Sequence, residues 1–146
     1  MQTKRIDINE VTPGVYQPLI QLNKQIVQSG FSKNLYHLIK VRASLINGCA
    51  YCIQSHSKEA QADGETTQRL LALEAWDDAP YFTIEERAVL ALTDEATLIS
   101  NKGVSDAVFD NAIRILGKEN VAHAIMAIAS INAWNRIGRA TLLIPE

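Results

Sequence analysis

Helix start and stop signals punctuate this chain from end to end, and no segment reads as a convincing β-strand. Apolar residues recur near the 3.6-residue helical period. Val15, Leu19, Leu22 and Ile26 form one such run, and Leu35, Leu38, Ile39, Leu45 and Ile46 the next. Residues 1–12 read as irregular, with Thr12-Pro13-Gly14 as a breaker. A first helix is expected over about 14–28, stopped by Gly30, and Ser32 caps a second over about 33–47. A third is expected over about 49–62, stopped near Gly64, and a short fourth over about 66–74. Thr83-Ile84-Glu85-Glu86 is a capping box: a hydroxyl for the first backbone N–H groups and a glutamate that returns to the cap. It opens a helix to about Ser100; Gly103 and Ser105 open another to about Leu116, and Glu119 the last, to about Arg139. The expectation is an all-α, single-domain bundle of about six to seven helices over residues 1–146, with its core at about 15–140.

Length and charge restrict the function classes. At 146 residues the chain buries roughly 68–70% of its unfolded surface, enough for a core without covalent staples. A formal net charge of −2 carries no electrostatic footprint for nucleic acid or an anionic membrane, so neither is expected as a partner. The longest apolar stretch, VAHAIMAIASINAW, has 14 residues and carries His123, Ser130 and Asn132. A bilayer needs roughly 20, so a buried core helix is expected there, with His123 as a core histidine. No basic and apolar leader opens the sequence, which places the expected site of action in the reducing cytoplasm.

The chemistry concentrates in RASLINGCAYCIQSH, residues 42–56, which holds both cysteines of the chain. Three readings compete: a structural disulfide, half of a zinc site, and a redox dithiol. A cytoplasmic setting and the very short loop between Cys49 and Cys52 weaken the first. A zinc site would take Cys49, Cys52, His56 and a fourth ligand such as His37. That spacing on one continuous helix is awkward, and no second CxxC or HxxxH follows. For the redox reading, Cys49, Cys52 and His56 fall at i, i+3 and i+7, one helix face. The first turn of a helix favours thiolate over thiol, and His56, one turn beyond Cys52, acts as its base or stabilises its thiolate as imidazolium. An antiparallel partner helix would let His37 reach back toward the thiols. Tyr51 points off the cysteine face. No glycine-rich phosphate loop or HExxH is present, so no cofactor and no resident metal are expected.

LIKVRASLINGCAYCIQSHSKEA resembles the core of the alkylhydroperoxidase D (AhpD)-like proteins of the carboxymuconolactone decarboxylase superfamily. LEAWDD followed by FTIEERAVLALTDEATLI, and the closing INAWNRIG, resemble the single-domain members. The resemblance implies a peroxidase whose CxxC cycles between dithiol and disulfide. Cys52 would attack the peroxide, Cys49 would resolve the sulfenic acid, and His56 would belong to a proton relay. The family's relay glutamate lies twelve residues before the first cysteine, where this chain has His37, and the histidine often found before the second cysteine is Tyr51 here. The resemblance also implies a homo-oligomer, a trimer or hexamer, with a hydroperoxide substrate and a lipoyl- or thioredoxin-type dithiol reductant. The decarboxylase branch lacks this dithiol, which argues against lactone decarboxylation. The helix-terminus argument favours Cys49 as the low-pKa thiol, whereas the resemblance favours Cys52. The alternatives are a non-catalytic redox-sensing or thiol–disulfide exchange oligomer and, behind it, a zinc-stabilised helical module.

Overall fold

The computed structural model describes residues 3–145. Among them lie eight α-helices and no strand: α1 Ile8–Val11, α2 Gln17–Gln28, α3 Lys33–Asn47, α4 Ala50–Ala62, α5 Thr67–Ala72, α6 Ile84–Thr97, α7 Asp106–Leu116 and α8 Lys118–Thr141. A 3₁₀ turn at Leu73–Ala75 extends α5. The all-α expectation therefore stands, with one helix more than expected. Residues 1–12 are not wholly irregular, because Asp7 caps α1 by accepting from the backbone N–H groups of Asn9 and Glu10. A single turn is too short to leave a periodic apolar trace, which is why it escapes the sequence pattern. The next helix starts three residues later than 14, after a turn over residues 12–16, and Val15 is exposed.

Capping explains most boundaries. Ser32, Thr66, Thr83 and Ser105 each accept a backbone N–H from the first turn of α3, α5, α6 and α7, and Thr83 with Glu86 completes the capping box. Gly48 ends α3 in the left-handed region, at φ 63°, where a side chain would be strained.

The core lies where α3, α6 and α8 meet. Leu38, Ile39 and Val41 of α3, Val89, Leu90 and Leu92 of α6, and Ile128 and Ile131 of α8 are all buried there. Such side chains each contribute roughly 1.5–3 kcal/mol on burial. α4 folds back along α3 as an antiparallel hairpin, α2 lies on α8, and α7 lies on α6. No helix among the described residues is long and apolar enough to cross a membrane.

Polar groups set the register of α3 against α8. The Asn47 amide donates to Asn132 Oδ1 at 3.0 Å and to Asn135 Oδ1 at 2.9 Å. Asn135 in turn donates to Ser44 Oγ at 3.0 Å, and Ser44 Oγ donates to the Lys40 carbonyl. A second network anchors α3 to α6, with the Arg42 guanidinium donating to both Asp94 carboxylate oxygens and to the Leu73 carbonyl. Trp76 Nε1 donates to the same carboxylate. Asn135 is 1% exposed, so truncation removes one acceptor from the Asn47 amide and the donor to Ser44 Oγ inside the α3–α8 contact. Asn135→Ala should cost about 2–4 kcal/mol, read as a lower midpoint in chemical denaturation; a midpoint within error of the parent would refute this role.

Candidate active site

Chain reversal at Gly48 places Cys49 as the N-cap of α4, with φ −87° and ψ 95°. Cys49 and Cys52 are joined as a disulfide, their Cα atoms 5.3 Å apart. Cys49 Sγ accepts the Cys52 backbone N–H at 3.4 Å, the bond an N-cap oxygen would ordinarily take. Both residues are buried. The sulfurs lie against the backbone of α8 at Gly138. A Cβ on that glycine would stand 3.0 Å from Cys49 Sγ and 3.4 Å from Cys52 Sγ. The neighbouring Arg139 donates from Nη1 to the Gly48 carbonyl at 2.7 Å, tying the turn before Cys49 to the same stretch of α8.

Cys52, but not Cys49, lines a cavity of about 640 Å3 shared with His56. Its walls mix apolar and aromatic side chains, among them Ile6, Tyr16, Tyr51, Trp134 and Ile137, with polar ones such as Gln17 and Ser55. That volume is within the roughly 300–1,000 Å3 range of ligand cavities. Tyr51, expected off the cysteine face, is therefore part of the wall. One side of the cavity comes from the N-terminal segment, pinned to the end of α8 by the Arg5 backbone N–H donating to the Thr141 carbonyl at 2.9 Å. His56 and Trp134 also line a second cavity of about 410 Å3, together with Tyr36, Lys40, Glu59 and Ile131.

His56 engages a carboxylate on its own helix. Its Nδ1 lies 3.0 Å from Glu59 Oε2, and the same oxygen accepts from Lys40 Nζ at 2.6 Å. The His56 hydrogen bond, reinforced by Lys40, holds the Glu59 carboxyl down at about 2. Lys40 is buried on α3 and its ammonium sits over the Tyr36 ring, 4.5 Å from the centroid. Burial, and then the Glu59 charge, pushes the Tyr36 phenol up to about 12, so Tyr36 stays protonated.

His37 lies elsewhere. Its Nε2 is 2.6 Å from Asp63 Oδ2, at the far end of α4, and its Nδ1 is buried without a partner. The reason is the hairpin. α4 runs antiparallel to α3, so residues farther before Gly48 on α3 meet residues farther after it on α4, which brings Lys40 to Glu59 and His37 to Asp63. About 16 Å of helix rise separates position 52 from position 63. His37 therefore does not reach back to the thiols, as a relay residue or as a fourth zinc ligand. Among the described residues, no three or more His, Cys, Asp or Glu side chains are grouped to hold a metal ion. His123, also removed from the thiols, is partly buried with its ring 5.9 Å from that of Phe31.

Two site features escaped the sequence reading although signals for them existed. Glu59 stands three residues beyond His56, on one helix face by spacing alone. Gly138 interrupts a helical pattern, which implies close approach by something else. Gly138→Ala would push a methyl group into Cys49 Sγ and should destabilise the oxidised protein by about 1–3 kcal/mol. In an open helix the same change stabilises. A denaturation midpoint at or above the parent's would contradict the close packing. For Glu59 the folded-state pKa is depressed, from an ordinary 4.5 to about 2. Its contribution to stability is present above pH 4.5 and is lost as pH falls toward 2. The stability difference between parent and Glu59→Gln should therefore shrink across that window in acid-titrated denaturation.

The model of the carboxymuconolactone decarboxylase family matches residues 13–95. The uncharacterized protein YdfG of Bacillus subtilis is 34% identical over 138 residues, covering 94% of each chain. A solved structure from Agrobacterium tumefaciens, a protein of unknown function provisionally assigned as the antioxidant defence protein AhpD, is 33% identical. It superposes with a TM-score of 0.95 over 99% of both chains. The debrominase Bmp8 in its apo form shares the fold, with a TM-score of 0.80 at 22% identity over 94% of this chain and 74% of its own. The helical architecture, the CxxC disulfide at the start of α4 and these matches lead to one assignment: the chain belongs to the carboxymuconolactone decarboxylase family, as an AhpD-like member.

Proposed function

We propose that this protein is a thiol-dependent peroxidase that reduces hydroperoxides through the Cys49–Cys52 couple. The observation that carries the reading is an asymmetry: Cys52 opens with His56 onto a cavity, whereas Cys49 is not part of its lining. Family membership and the similarity to a protein provisionally assigned to antioxidant defence support it.

In the reduced enzyme His56 draws the proton from Cys52, and the thiolate attacks the terminal oxygen of a hydroperoxide. The O–O bond breaks, the alkoxide takes a proton and leaves as alcohol, and Cys52 becomes a sulfenic acid. Cys49 attacks that sulfur, and water departs as the disulfide forms. A dithiol reductant, of the lipoyl or thioredoxin type, then attacks the Cys52 sulfur. Cys49 leaves as thiolate, stabilised by its N-cap position and the Cys52 N–H. The second thiol of the reductant breaks the mixed disulfide and leaves Cys52 reduced and the reductant oxidised. On this reading the helix terminus serves Cys49 as a leaving group and His56 serves Cys52 as nucleophile, so the two sequence arguments about the reactive thiol describe different steps. The proposal includes a homo-oligomer, trimer or hexamer, acting in the cytoplasm. Exposed apolar side chains such as Leu71, Ile84 and Met126 support assembly, and sedimentation measures it.

Free thiols followed after a stoichiometric hydroperoxide test the reading. Both should disappear at least roughly 100-fold faster than free cysteine reacts. Cys52→Ser should abolish the reaction, and Cys49→Ser should accumulate a sulfenic acid at Cys52 that dimedone traps. Loss no faster than that of free cysteine would sink the peroxidase reading and leave a redox sensor or exchange protein. A sulfenic acid found only at Cys49, in Cys52→Ser, would reverse the two roles.

A further inference from the structure

At the position where related proteins carry a relay glutamate, this chain has His37, and His37 faces Asp63 rather than the thiols. The chain nevertheless brings a carboxylate to His56, from one turn along the same helix. We propose that Glu59, clamped by Lys40, is the positioning residue of the site: it accepts the Nδ1–H of His56 and so fixes the ring in the tautomer that leaves Nε2 unprotonated. This rests on the peroxidase reading for its purpose, but its geometry stands independently.

Three features carry it. First, one oxygen, Glu59 Oε2, takes both contacts, 3.0 Å from His56 Nδ1 and 2.6 Å from Lys40 Nζ. A carboxylate held this way has its rotamer set by two partners on two helices, and it sets the imidazole plane in turn. Second, the clamp is rigid on the α3 side. The Lys40 side chain is only 10% exposed, packed over Tyr36, and its charge has Glu59 as counter-ion. Burying an ammonium without a partner is costly, so Lys40 holds the Glu59 carboxylate in place. Third, the ring bridges two cavities. Glu59 and Lys40 line the smaller with His56, and Cys52 lines the larger with His56. With Nδ1 engaged on the Glu59 side, Nε2 is the nitrogen that remains to take a proton from Cys52. Lys24 on α2 also borders the smaller cavity, and Lys4, Asp7 and Glu10 of the N-terminal segment border the larger, but none shows a hydrogen bond to the ring.

The arrangement does for His56 what a carboxylate does in any oriented acid–base pair. It excludes the tautomer whose basic nitrogen faces away from the reacting atom. Glu59 touches neither substrate nor sulfur, so its effect passes through His56.

The experiment reads the ring directly. In reduced protein labelled with 15N-histidine, the His56 shifts at alkaline pH should report an Nδ1–H, Nε2-unprotonated imidazole. Glu59→Met, which leaves no acceptor, should lose this preference, and the rate of thiol loss to hydroperoxide should fall by roughly 10-fold or more. Glu59→Asp should recover part of both, and Lys40→Met should loosen the tautomer preference with Glu59 still present. An Nε2–H tautomer in the parent protein would overturn the inference without any variant. So would a Glu59→Met protein with parental shifts and rate. If the parent's thiols react no faster than free cysteine while the tautomer depends on Glu59, the peroxidase reading fails and the positioning role stands.

Discussion

The cysteine sulfurs lie where they do because α8 offers no side chain at position 138. At 3.0 Å from Cys49 Sγ, a Cβ there would have to displace sulfur or helix, so the CxxC and Gly138 form one packing unit although 86 residues separate Cys52 from Gly138. Everything around that contact keeps it in register. The amides of Asn47 and Asn135 and the hydroxyl of Ser44 lock the end of α3 to α8, and Arg139 holds the carbonyl of the turn glycine. A shift of α8 by even one residue would break all of these bonds together and turn a larger side chain toward the sulfurs. The dithiol is placed by a polar ladder inside an apolar interface, where its unmade bonds would be expensive.

The hairpin of α3 and α4 divides the neighbouring polar groups into two separate clusters. Near the middle, Lys40, Glu59 and His56 converge beside the cavity. At the distal end, Lys33 pairs with one oxygen of Asp63 and His37 contacts the other, closing the hairpin. The two clusters differ only in their distance from Gly48, yet one adjoins the thiols and the other does not. A carboxylate twelve residues before the first cysteine is absent, and a carboxylate three residues after His56 occupies the ring's Nδ1 instead.

Much of this was legible from residues in order. The caps at Ser32, Thr83 and Ser105, the stop at Gly48 and the CxxC with His56 on one face are local facts. They depend on backbone hydrogen bonding and on helical spacing within one segment. What failed lay at the edges of that logic. α1 is one turn long and leaves no period. His37 lies eleven residues before Gly48, so the antiparallel hairpin carries it toward the far end of α4 and not to the thiols beside the turn. Glu59 and Lys40 both lie within the stretch that carries the resemblance, but equal spacing about Gly48 would set Lys40 opposite His56, so their pairing is a matter of how α3 and α4 pack.

The sequence by itself determined the helical class, the helix boundaries to within a few residues, and the CxxC–His56 face, because each follows from interactions between residues a few positions apart. Only the tertiary structure decided which cysteine meets the cavity, which carboxylate meets His56, and why residue 138 is glycine. Those depend on how α8 and the N-terminal segment pack across α3 and α4, contacts between residues far apart in the chain that no local spacing encodes.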